Sequence, residues 1–200
     1  MTVIFLKKTI LTLIVASTIM QPTTTLTTEY KNVEHEAILW EILMSELDNE
    51  VLTAGCMGYI WRESFYRSDS VVGWHYTKAM TGEDPCQKFA DELDKLSKEE
   101  FIEKIQKAGG FGLGQWYSEA YLGPLYDYCK GYGGSFDDAV MQCKFLVHSL
   151  KQSDIWKELQ NVTDPKLAGR KIAYGYDGTG EAGAEIIASR AEKIYKQYAG

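Results

Sequence analysis

Basic residues are scarce: 21 Lys and Arg stand against 28 Asp and Glu, for a net charge of −7. A chain this acidic is poorly suited to a phosphate backbone, and it lacks the basic patch of a surface membrane binder. No nucleic-acid partner and no stable membrane association are therefore expected once the leader described below is removed. Only four prolines and three histidines occur. The four cysteines (Cys56, Cys86, Cys129, Cys143) contain no Cys-x-x-Cys pair and match no zinc-ligand spacing, so neither metal nor cofactor is expected. No apolar run reaches the length of a bilayer span; the longest, Thr9 to Met20, covers twelve residues. Internal repeats and long linkers are absent as well. What remains is an ordinary globular composition of 45% apolar and 24% charged residues, which excludes a disordered or collagen-like chain. Two hundred residues suit one domain, or one domain with a tail, that buries roughly two-thirds of its unfolded surface. Aromatic residues reach 12%, with 13 Tyr and 5 Trp. Such richness serves core packing, and equally a groove that stacks on ring-shaped ligands.

The short apolar run follows Lys7 and Lys8 and leads into Gln21, Pro22 and a Thr-rich stretch to Thr28. This order of positive, apolar and polar segments fits an export signal, so residues 1–28 are set apart from a domain at 29–200. In an exported chain, four cysteines permit two disulfides, with three possible pairings. From Asn32 to Leu47, apolar residues at spacings of three and four predict a helix. Asp48-Asn49 offers a turn and an N-cap for a second helix, Glu50 to about Ser64. Gly55 and Gly58 inside it each cost about 1 kcal/mol against Ala, which implies close packing of another helix or of substrate. Residues 65–86 read as irregular, and Lys88 to Lys107 as one charged helical stretch ended by Gly109. Further helices are expected near 117–130, 136–150, 153–160, 164–174 and 183–199. Ser135 or Asp137 would cap the second of these, and Asp164-Pro165 would open the fourth. Strand signals are weak throughout, so the expected fold class is mainly α.

Two features carry chemistry. Glu63 ends the second helix in Tyr59-Ile60-Trp61-Arg62-Glu63-Ser64. A carboxyl group among aromatic and apolar neighbours tends to keep its proton, which a general acid needs in order to protonate a glycosidic oxygen. The plainer role for Glu63 is an ion pair with Arg62. The second feature is Gly109-Gly110-Phe111-Gly112-Leu113-Gly114-Gln115-Trp116, where glycines let the backbone approach a ligand. Gln115 brings both a donor and an acceptor, and Trp116 a ring that stacks on sugar or packs in the core. No Gly-Lys-Ser/Thr follows, which excludes a phosphate loop. A Cys/His peptidase using Cys56 with His75 or His148 is a rival of another class, and a non-catalytic wall- or tail-binding module is a third.

Taken in order, these pieces resemble the phage tail lysozyme family over roughly residues 33–199. Glu63-Ser64 resembles the family's Glu-Ser. Gly110 to Trp116 is similar to its Gly-aromatic-Gly-Leu-x-Gln-Trp signature, and Tyr76 to Met80 to a segment that often lies between. Leu125 to Tyr128 and Met141 to Leu146 are similar to its later helices. Tyr176-Asp177 and Arg190-Ala191 are similar to its closing Tyr-Glu and Arg-Ala pieces. The chain departs from the pattern at Asp177, where Glu is usual, and at Tyr117, where Thr is frequent. The resemblance implies a lysozyme-like helical domain with a long irregular and helical insertion between the catalytic helix and the Gly-rich turn. It implies muramidase-type cleavage of peptidoglycan glycan strands, outside the cell or on a virion. Glu63 would be the catalytic acid, and Ser64, Gly112, Gln115, Trp116, Tyr176 and Asp177 would line the sugar groove. A hydrolase needs a second carboxylate, for which Asp69, Glu83, Asp84 and Asp177 are candidates; a lytic transglycosylase, leaving 1,6-anhydro ends, needs none.

Overall fold

The computed structural model describes residues 36–71 and 85–200. The expected export segment, His75, the Tyr76 to Met80 piece, Glu83 and Asp84 lie outside the described residues. The fold is mainly helical; among the described residues the extended pairings are isolated bridges, Val71 with Phe111 and Phe111 with Trp116. No described helix is long and apolar enough to cross a membrane.

Helix α1 (Glu36–Leu47) buries Leu39, Trp40 and Leu43 along one stripe. Asn49 then caps α2 (Glu50–Ser64) as its sequence position suggests, its side chain accepting the Leu52 N–H at 2.9 Å. Helix α2 is buried on nearly every side, which marks it as the central helix of the domain. Helices α8 (Pro165–Ile172) and α9 (Glu181–Tyr198) pack against it. The α2 glycines are needed there. A Cβ on Gly55 would stand 3.0 Å from the Ala168 side chain, and one on Gly58 only 2.5 Å from the Ile187 carbonyl oxygen. Of the two partners the sequence allowed for these glycines, the neighbouring helix is the one present.

Between α2 and the Gly-rich turn the expected single helix is two, α3 (Pro85–Leu93) and α4 (Lys98–Ala108). Two side chains break it. Ser97 forms a reciprocal capping box with Glu100, and the Asp94 carboxylate accepts the Phe136 N–H at 3.0 Å. Helices α5 (Glu119–Tyr132) and α6 (Ala139–Gln152) follow. The cap of α6 is Asp138, not Ser135 or Asp137; it takes the Val140 and Met141 N–H groups. A short α7 (Trp156–Leu159) leads to α8, which opens as expected with Asp164 as cap and Pro165 in its first turn. The expected helix 164–174 does not continue regularly. It loosens into one π-helical turn, Ala173–Asp177, before α9. Cys56, Cys129 and Cys143 are buried free thiols, so the two disulfides that four cysteines permit do not form here.

Candidate functional site

The Gly-rich segment folds back on itself. Phe111 and Trp116 exchange both backbone hydrogen bonds, at 3.2 and 3.1 Å, around a four-residue loop. Gly112 has φ +80°, and a Cβ there would also meet the Gln142 side chain at 2.6 Å. That approach serves an anchor. Gln142 of α6 is fully buried; its Oε1 accepts the Leu113 N–H at 2.6 Å, while its Nε2 donates to the Ser68 and Phe136 carbonyls. The Gly112 N–H donates to the Ser70 carbonyl at 2.9 Å, fastening the loop to the segment that follows α2.

This loop, the end of α2 and the π-helical turn enclose a cleft of about 360 Å³. Tyr59, Arg62 and Glu63 come from α2, Gly114, Gln115 and Trp116 from the loop, and Tyr121 from α5. Tyr176, Asp177 and Thr179 close the opposite side. The Glu63 side chain is 14% exposed, and its Oε1 accepts from Arg62 Nη1. The ion pair and the cleft-lining position thus hold at once. One nitrogen meeting one oxygen is not a bidentate fork, and the cation does not dominate the proton affinity. Burial first, then the Asp177 charge, push the Glu63 carboxyl up to about 6 against the opposing pull of Arg62. The same Arg62 nitrogen lies 3.7 Å from Asp177 Oδ2, so one guanidinium faces both carboxylates. Asp177 Oδ2 also accepts from the Thr179 hydroxyl.

Tyrosines build the floor. The Tyr59 hydroxyl donates to the Gly114 carbonyl at 2.7 Å, fixing the loop against α2. Tyr176 receives the Trp116 indole N–H at 3.2 Å and shares a 2.6 Å hydrogen bond with Ser149. The Tyr121 hydroxyl donates to the Tyr176 carbonyl at 2.7 Å, holding the π-helical turn in place.

The structure therefore brings Glu63, Gln115, Trp116, Tyr176 and Asp177 together. It leaves Ser64 and Gly112 outside the lining of the cleft: the Ser64 hydroxyl donates to the Ile60 carbonyl within its own helix, and Gly112 packs on Gln142. Gln115 does not offer both functions to a ligand. Its Nε2 is used by the Ser70 and Gly112 carbonyls, and its buried Oε1 has no hydrogen-bond partner among the described residues. Trp116 packs edge-on against Phe145 and is 2% exposed, so it floors the cleft and presents no open face. Tyr117, 64% exposed at the rim, has the open ring. The Asp69 carboxylate is engaged by Arg67 through two hydrogen bonds, away from the cleft. Tyr121 and Thr179 were not legible as site residues, because each enters through a contact made by the folded chain. Only Thr179, two residues beyond Asp177, carries a local hint. Burial pushes the Cys56 thiol up to about 12, which leaves it unreactive and removes the Cys56 peptidase reading.

No curated protein and no solved structure matches the chain. The description of phage tail lysozymes matches residues 34–198, nearly the whole of the described domain and every wall of the cleft, and the chain accordingly belongs to the phage tail lysozyme family, lysozyme-like proteins that act on peptidoglycan.

Proposed function

We propose that this chain cleaves the glycan strand of peptidoglycan, with Glu63 as the general acid that protonates the bridging oxygen between two sugars. The observation that carries this reading is a carboxyl group lining an open cleft with its proton affinity raised to about 6. At pH 7 such a group is protonated in about 10% of molecules, against about 0.3% at its ordinary value of 4.5. Proton delivery by a positioned acid contributes typically about 10²–10⁴-fold to rate. The open ring of Tyr117 suits stacking on a sugar face. Residues 29–200 form the catalytic unit in this reading. Residues 1–28 form the export segment, placing the enzyme on the wall side of the membrane or, if phage-encoded, on the virion.

The test is Glu63→Gln, which keeps size and removes the acid. Purified cell walls should be dissolved by the parent protein, with the variant slower by at least about 100-fold. Undiminished lysis by the variant overturns the reading. Wall binding without cleavage by either protein would identify a binding module instead.

A further inference from the structure

The cleft holds a second carboxylate whose surroundings are built as carefully as those of Glu63. Asp177 ends the π-helical turn Ala173–Asp177, and that turn is fixed from three sides. The Thr179 N–H donates to the Ala173 carbonyl at 2.9 Å, and Tyr121 holds the Tyr176 carbonyl. The Tyr176 hydroxyl is tied to Trp116 and Ser149. The Asp177 side chain is 19% exposed and lines the cleft. Its Oδ2 takes the Thr179 hydroxyl and faces Arg62, which leaves Oδ1 without a hydrogen bond from the described residues. Arg62 Nη1 touches Glu63 Oε1 and stands 3.7 Å from Asp177 Oδ2. Two contacts to one nitrogen bound the separation of Glu63 Oε1 and Asp177 Oδ2 at about 6 Å, below the roughly 6.5–9.5 Å an inverting glycosidase leaves for its water. That bound admits the roughly 5–5.5 Å of a retaining pair.

Resting on the glycan-cleaving role of Glu63, we propose that Asp177 is the nucleophile of a retaining hydrolase, with Arg62 and Thr179 as the residues that position it. Glu63 gives its proton to the bridging oxygen as the bond from that oxygen to the anomeric carbon breaks. Asp177 Oδ1 bonds to the anomeric carbon from the opposite face, forming a glycosyl ester, and the other sugar leaves with a free hydroxyl. Water then enters where that sugar was. Glu63, now a carboxylate, takes one proton from it, and the water oxygen bonds to the anomeric carbon. The ester bond breaks, which restores both side chains and leaves a reducing end of retained configuration.

The experiment uses Glu63→Gln with an aryl glycoside of a peptidoglycan disaccharide, whose leaving group needs no acid. The ester should form and, with no base to activate water, accumulate. Mass spectrometry of the digested protein should find one disaccharide on the peptide that contains Asp177. In parallel, the parent protein digesting cell walls in ¹⁸O-water should leave reducing ends carrying one ¹⁸O. Asp177→Asn should lose at least about 100-fold in kcat while still binding walls. No adduct, or an adduct elsewhere, overturns the proposal, and so do 1,6-anhydro ends from the parent. If Glu63→Gln is inactive on walls in those cases, only the role of Asp177 has failed. If Glu63→Gln lyses walls at the parent rate, the reading of Glu63 has failed with it.

Discussion

Glu63 makes the stability of the protein depend on pH in a direction opposite to that of most paired carboxylates. Its ordinary value is 4.5, and the fold holds it at about 6. Between those values the folded chain binds the proton more tightly than the unfolded chain, so stability falls as pH rises from about 4.5 to about 6 and stays lower above. The full effect is about 2 kcal/mol for a side chain this buried. The charged groups around it are Arg62 on its own helix and Asp177 on the π-helical turn, with the buried Tyr59 nearby. Glu63→Gln carries no charge to bury. It should unfold at higher denaturant than the parent above pH 6, and the two curves should converge below pH 4.5. Activity should follow the same group: kcat/KM falls with a midpoint near pH 6 and then about tenfold per unit. A pH-independent difference in stability would show that Glu63 titrates as an ordinary surface acid. Glu63 was legible because its apolar neighbours are its neighbours in sequence. The commitment of Gln115 Nε2 was not, since one of its partners, the Ser70 carbonyl, lies 45 residues away.

Gln142 is the element-scale counterpart, a side chain on α6 that organises a loop it does not belong to. It satisfies the Leu113 N–H and the Ser68 and Phe136 carbonyls from a site without solvent. Gln142→Leu strands all three backbone groups, each worth about 1–3 kcal/mol when buried unpaired. A loss of at least about 3 kcal/mol is expected, which for a domain of this size lowers Tm by roughly 6–12 °C. Calorimetry checks the first part. Residual activity well below the folded fraction checks the second, since the loop it anchors forms one wall of the cleft. Helix starts were readable where the cap is local, as at Asn49 and at Asp164-Pro165. They were misplaced where a cap answers to distant chain: Asp94 leaves the helical pattern to hold Phe136, splitting α3 from α4. The π-helical turn left no periodic trace in five residues. It depends on Gly175, where a Cβ would meet Ile155 Cγ2 at 2.2 Å.

At the scale of the whole molecule the cleft is assembled from chain segments more than a hundred residues apart, Arg62 and Glu63 on one side and Asp177 on the other. The sequence supplied both carboxylates but no sign that one guanidinium would face them together. The chain as a whole is acidic, with a net charge of −7, and the cleft contributes two carboxylates against one guanidinium. Cell walls that carry anionic polymers should repel such a protein over the Debye length, about 30 Å at 0.01 M salt and about 8 Å at 0.15 M. Raising salt across that range should therefore speed the lysis of intact walls several-fold, through association and not through kcat. Short uncharged glycan oligomers present no such field, and their cleavage should respond little to the same change. Turbidity loss of walls and chromatography of oligomer digests, measured side by side, separate the two. A basic lysozyme depends on salt in the opposite sense, because its attraction to the wall is what salt screens. Faster wall lysis by this chain at low salt would mean that a local cationic surface, not the net charge, governs its approach.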